Sequence, residues 1–126
     1  MTSALRHAVL AAKACDEFRG KDVTIMDLTG ITAIFDYFVI ATASSGRQMH
    51  ALAEEVDRVL SEQGSRRMSV EGYNSGNWIL QDFGDIVLHV FNEEARNMYD
   101  LEHLWGDAKR IDWKPLAAEL DSAATV

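Results

Sequence analysis

The chain has 126 residues, 48% hydrophobic and 25% charged, the length and usage of one soluble domain that buries about two thirds of the surface its unfolded form exposes. Its formal net charge of −8 argues against a protein that binds mainly nucleic-acid backbone, because that affinity comes from Lys and Arg displacing counterions; a basic partner suits it better. One cysteine forms no internal disulfide, which fits a reducing compartment; a cytoplasmic location is expected.

Residues 3 to 19 place Leu5, Ala8, Val9, Ala12, Cys15 and Phe18 at helical spacing, with Gly20 positioned to end the helix. The run AVLAAKAC is similar to a secretion signal, but its apolar part is short and Lys13 interrupts it, so a mature helix is expected. Cys15 lies on the inner stripe and reads as a small buried hydrophobe. VTIMDL (23 to 28) and DYFVIATA (36 to 43) read as strands, the second apolar enough to be covered on both faces. From Gly46 to Gln63, Met49, Leu52, Val56, Val59 and Leu60 form one helical face, which Gly64 ends. Strand, helix and strand in succession predict a crossover with some parallel pairing. MSVEG (68 to 72), NWILQD (77 to 82) and DIVLHVF (85 to 91) follow as short strands, the last two joined at Phe83-Gly84. Asn92 is placed to cap a short helix through Tyr99, and Leu101, Leu104 and Trp105 share a face of a further turn. One domain is expected over 1 to 113, and residues 114 to 126 are expected to form a loosely held tail. No stretch is long and apolar enough for a membrane helix, Tyr37 to Gly46 being half the needed length.

The turn Ser44-Ser45-Gly46 before a helix is the kind of feature that cradles a phosphate. Ser45 as N-cap with Gln48 three residues on makes a capping box instead, so the helix start satisfies itself. A nucleotidyltransferase, the enzymatic alternative, needs paired carboxylates on one strand to hold Mg²⁺. The acids at suitable distance, Glu54, Glu55 and Asp57, fall inside the helix and point in different directions. Asp82-Phe83-Gly84 matches a kinase metal motif, but without the glycine-rich loop, paired lysine and catalytic loop it reads as a hairpin turn. His7, His50, His89 and His103 are scattered with no ligand spacing. No catalytic residue, metal site or cofactor is predicted.

From Met68 to Ala108, Arg96 is the one basic residue against Glu71, Asp82, Asp85, Glu93, Glu94, Asp100, Glu102 and Asp107, and Tyr73, Trp78, Phe83, Phe91, Tyr99 and Trp105 are interleaved with these acids. Aromatic anchors among acids suit a surface that meets a basic protein; the same pattern arises where the aromatics are core and the acids confer solubility.

DYFVIATASSGRQMHALAEEV, VEGYNSGNWILQDFGDIVLHVF and ARNMYDLEHLWGDA, in that order, resemble the three signature blocks of the ribosomal silencing factor family, also called RsfS or Iojap, over roughly residues 4 to 113. The resemblance implies an α/β domain with a mixed five-stranded sheet and flanking helices, similar to the nucleotidyltransferase fold without its catalytic acids. It implies a translation repressor rather than an enzyme: a protein that docks on ribosomal protein fourteen of the large (50S) subunit and sterically blocks subunit joining. Large-subunit maturation is the alternative role for the same surface. The resemblance also implies a homodimer when free, with no dependence on nucleic acid or membrane. Carried onto this chain, the partner surface comprises Trp78 as anchor, Asp82 and Asp85 near the hairpin turn, and Arg96, Tyr99, Leu101, Glu102, Leu104, Trp105 and Asp107 in the last block. Among these, Leu104 and Trp105 are expected to pack the terminal turn against the sheet, and Asp36 to fix the entry to its strand.

Overall fold

A computed structural model describes residues 1–124. In chain order the elements are α1 (Ser3–Glu17), β1 (Lys21–Asp27), β2 (Tyr37–Thr42), α2 (Gly46–Glu62), β3 (Ser69–Glu71), β4 (Trp78–Asp82), β5 (Ile86–Phe91), α3 (Glu93–Tyr99), α4 (Leu101–Leu104), β6 (Lys109–Ile111) and α5 (Trp113–Ala124). The strands form one sheet in the order β3-β4-β5-β2-β1-β6. The central pair, β2 and β5, is parallel and the other neighbours are antiparallel. Both central strands are buried at every position, as their near-continuous apolar runs require.

The sheet has six strands where the resemblance implies five. The additional strand, β6, is three residues long, with Lys109 and Arg110 exposed, and pairs Ile111 with Ile25 at the sheet edge. Three residues, two of them charged, carry too little alternation to be read as a strand.

The segment from Lys114, expected as a loose tail, instead belongs to helix α5. Trp113, Leu116, Ala117 and Leu120 recur at helical spacing and pack against the core. Pro115 sits in the first turn, where a missing N–H costs nothing. Trp113 is 7% exposed and its indole N–H donates to the Val23 carbonyl at 3.0 Å. Lys13 of α1 reaches Asp121 of α5 at 2.5 Å. Residues 125 and 126 of the expected tail lie outside the described residues.

Two local details also differ from expectation. Ser45 caps α2 by accepting from the Gln48 N–H at 3.1 Å, but Gln48 Oε1 returns to Ser44, accepting from its N–H at 2.6 Å and its hydroxyl at 2.9 Å. That one-residue shift leaves the Gln48 amide to donate to the Arg19 carbonyl at 2.8 Å, tying the start of α2 to the end of α1. In the β4–β5 hairpin, Phe83 pairs with Ile86 and is buried, so the two turn residues are Gly84 and Asp85. Gly84 takes φ +91° there, a conformation that favours glycine.

Side chains alternate across the sheet and define two faces. The first, with Val39, Ala41, Ile79, Ile86 and Leu88, is covered by α1, α2 and α5. Cys15 lies fully buried in this core, and burial pushes its thiol up to about 12, so it behaves as an inert hydrophobe. The second face, with Met26, Phe38, Ile40, Val87 and Phe91, is covered by the short α3–α4 segment.

Candidate functional site

The second face is where apolar surface remains open. Alternation along β4 puts Trp78, Leu80 and Asp82 on this face, paired across the ladder with Phe91, His89 and Val87 of β5. The parallel register then sets Phe38 of β2 beside Val87. Leu101 and Trp105 close one side and Phe35 contributes to another, leaving a cavity of about 240 Å³ lined by these side chains. A smaller cleft of about 190 Å³, between Glu71, Gly72, Trp78 and Leu80, adjoins it. Asp82 and Glu71 supply the charge of these two hollows, which no Lys or Arg lines. Tyr99, packed against Trp78, is 46% exposed, and Leu104, which lines a neighbouring hollow with Tyr99, is 72% exposed. Contiguous apolar surface, unlike scattered single side chains, marks a site that something covers.

Trp78 is held in place by contacts within the chain. Its ring lies 4.9 Å from that of Phe91 and 4.6 Å from that of Tyr99, centroid to centroid. The loop before it is fixed at three points. Ser75 Oγ accepts from the N–H groups of Asn77 and Trp78, each at 3.2 Å. His50 stacks on Tyr73 at 4.1 Å, and the Tyr73 hydroxyl donates to Glu54 at 2.5 Å. Gly72 has φ +70°, and a Cβ there would lie 2.2 Å from the Trp78 carbonyl oxygen. Such pre-ordering lowers the entropy cost of any contact this surface makes.

Beneath Trp78 lies His89, 3% exposed. The Trp78 indole N–H, which can only donate, reaches His89 Nδ1 at 3.1 Å. Nδ1 is therefore the acceptor, and the imidazole hydrogen sits on Nε2. Burial pushes the ring down to about 3, so the neutral form holds at physiological pH.

The sequence-predicted contact residues divide into two groups. Trp78, Asp82, Leu101 and Trp105 line the cavity, and Tyr99 and Leu104 stand exposed beside it. Trp105 packs edge-on against Phe38 at 5.9 Å, as its expected packing role requires; Leu104 does not, being largely in solvent. The others are placed elsewhere. Asp85 lies 3.0 Å from His7 Nδ1 of α1 and its carbonyl accepts from the Asp36 N–H at 2.9 Å, so it joins the turn to the first face and to the β2 entry. Arg96 is 9% exposed; its guanidinium donates to the Asp22 carbonyl at 2.6 Å, to Thr42 at 2.9 Å and to Thr24 at 3.2 Å, and pairs with Glu102 at 3.4 Å. Arg96 and Glu102 thus tie α3 and α4 to β1 and β2. Asp107 is exposed at a shallow pocket with Asp27, Thr29 and Lys109.

Phe35, Phe38, Leu80, Val87 and His89 belong to the cavity and were not predicted. The period-two pattern carried part of this signal: Leu80 shares a face with Trp78, and His89 with Phe91. What it could not carry is which of the two faces stays thinly covered. The acids of α2 have other partners, Glu54 with Tyr73, Glu55 with Arg58 and Asp57 with Arg67. Among the described residues no group of three or more His, Cys, Asp or Glu is placed to hold a metal ion, and no helix is long and apolar enough to cross a membrane.

Comparison with known proteins finds relatives over most of this chain. The family described as "Ribosomal silencing factor during starvation" matches residues 2–125. A Bacillus subtilis protein named ribosomal silencing factor RsfS is 41% identical over 103 residues, 82% of this chain and 87% of the relative. A crystal structure from Chromobacterium violaceum superposes with TM-score 0.80 at 38% identity, covering 83% of this chain and 88% of that one. One from Bacillus halodurans superposes with TM-score 0.71 at 36% identity, covering 82% and 93%. With the match spanning nearly the whole length and the same fold in both solved structures, the chain belongs to the ribosomal silencing factor family.

Proposed function

We propose that this chain represses translation by docking its thinly covered sheet face on the large ribosomal subunit and standing in the way of the small one. The observation that carries the reading is an apolar cavity ringed by aromatics, with the Asp82 carboxylate in its lining, Glu71 in the adjoining cleft, and no Lys or Arg in either. The docking partner is ribosomal protein fourteen of the 50S subunit, as the family resemblance implies; a basic protein surface attracts the acidic rim while ribosomal RNA repels the chain's net charge of −8. Trp78 anchors the contact, with Tyr99, Leu104 and Trp105 around it and Asp82 steering approach. No bond is made or broken. The chain acts in the cytoplasm, and when free it covers the same apolar face by pairing with a second copy.

Co-sedimentation with separated ribosomal subunits across a salt series tests the reading. Binding is expected to the large subunit and not the small one, weakening as salt screens the acidic rim. Failure to bind isolated large subunits at low salt would overturn it.

A further inference from the structure

Asn92 stands at the joint between β5 and α3, and both ends of its side-chain amide are used. Oδ1 accepts from the Ala95 N–H at 2.8 Å and so caps α3. Nδ2 turns the other way and donates to the Gly76 carbonyl at 3.1 Å and to Asn77 Oδ1 at 3.2 Å. The Ala95 N–H only donates and the Gly76 carbonyl only accepts, so the amide fits in one orientation alone. A helix cap needs the oxygen and nothing more. The nitrogen does something further: it ties the loop 72–77, which delivers Trp78, to the start of the helix that delivers Tyr99. Those two rings meet at 4.6 Å, and Trp78 also lies 4.9 Å from Phe91, the residue before Asn92. Gly76 and Asn77 are exposed and bury no apolar side chain, so hydrogen bonds rather than packing hold this end of the loop.

We propose that Asn92 is a positioning residue for docking: its amide nitrogen holds the loop so that Trp78 stands against Tyr99 in the orientation the partner meets. This inference rests on the docking reading above and names a side chain that acts through Trp78, not one that touches the partner. Asparagine, serine and aspartate cap a helix about equally well. Only asparagine caps with one end of its side chain and gives two hydrogen bonds from the other. Asn92→Ser therefore separates the two jobs, because a hydroxyl keeps the cap while the amide nitrogen is gone. The Gly76 carbonyl it leaves behind is in an exposed loop and turns to water, so the fold loses little.

Two measurements test this separately. In the free protein, amide hydrogen exchange at Trp78 is expected to quicken at least tenfold in Asn92→Ser, with exchange at Ala95 unchanged. Unchanged exchange at Trp78, or equal quickening at both amides, overturns the proposal. In co-sedimentation with 50S subunits, Asn92→Ser is expected to bind at least fivefold more weakly than wild type with the same urea midpoint. In the Trp78→Ala background the same substitution is expected to change binding by less than twofold, because a residue that acts through Trp78 has nothing left to position. Undiminished binding by Asn92→Ser, or an equal loss in both backgrounds, contradicts the role, and so does failure of Asn92→Ser to fold. Where Trp78→Ala binds too weakly for this comparison, the exchange at Trp78 and Ala95 decides. Wild type that fails to bind 50S subunits sinks the docking reading itself; wild type and Asn92→Ser binding alike sink the assignment of Asn92 alone.

Discussion

Trp78 and Arg96 both come from blocks that read as contact surface, and their surroundings give them opposite work. Trp78 is half-buried at the cavity wall with aromatic neighbours on two sides, the setting of an interface anchor. Trp78→Ala is expected to weaken binding to the large subunit by about 2 kcal/mol or more, with the far-ultraviolet circular dichroism unchanged; co-sedimentation at fixed salt reads this. Arg96 is a buried cation whose hydrogen bonds all stay within the chain. Arg96→Met leaves Glu102 without its charge partner, and urea unfolding is expected to show a loss of about 3 kcal/mol or more. Binding of the fraction that remains folded should change little. The two roles are indistinguishable in a one-dimensional string, since an arginine among acids reads equally as a contact or as an internal clamp.

At the scale of elements, periodicity made most of the chain legible. The helices α1 and α2, the strands β1 to β5 and the caps at Ser45 and Asn92 were readable, because each rests on residues close in sequence. The elements that differed owe their form to distant contacts. β6 exists through pairing with β1, and α5 holds through Trp113 against Val23 and Lys13 against Asp121. The turn moved by one residue because Phe83 is drawn into the first core. If α5 is integral to that core, Trp113→Ala is expected to cost about 3 kcal/mol or more, whereas a loose segment would tolerate it without change; the urea midpoint distinguishes these. For the site, Trp78, Leu101 and Trp105 were assigned to the partner surface from the family blocks, while Phe38 and Leu80, which lie in the same blocks, and Phe35, just before them, were not. Their membership depends on which face the helices leave open, a consequence of topology.

Over the whole molecule the two faces of the sheet are covered unequally, and the proposed docking follows from that asymmetry. Three helices dry the first face, and the short α3–α4 segment leaves part of the second for something else to cover. His89 links that open face to pH. Its folded value is depressed to about 3 from an ordinary 6.5, so the unfolded chain takes up a proton that the folded one refuses. The stability attached to this group is complete above pH 6.5 and is lost as pH falls from 6.5 towards 3, with a slope of up to about 1.4 kcal/mol per pH unit. Urea titrations over that range should show a steeper decline for wild type than for His89→Phe; parallel declines would mean that His89 protonates freely in the folded protein.

The central claim, that this face is a wedge between ribosomal subunits, is tested most directly by light scattering during subunit joining. Large subunits preincubated with the wild-type chain should fail to give the rise in scattering when small subunits are added, and preincubation with the Trp78→Ala variant at the same concentration should restore it. A full rise with the wild-type chain bound to the large subunit, or equal inhibition by both proteins, would contradict the account.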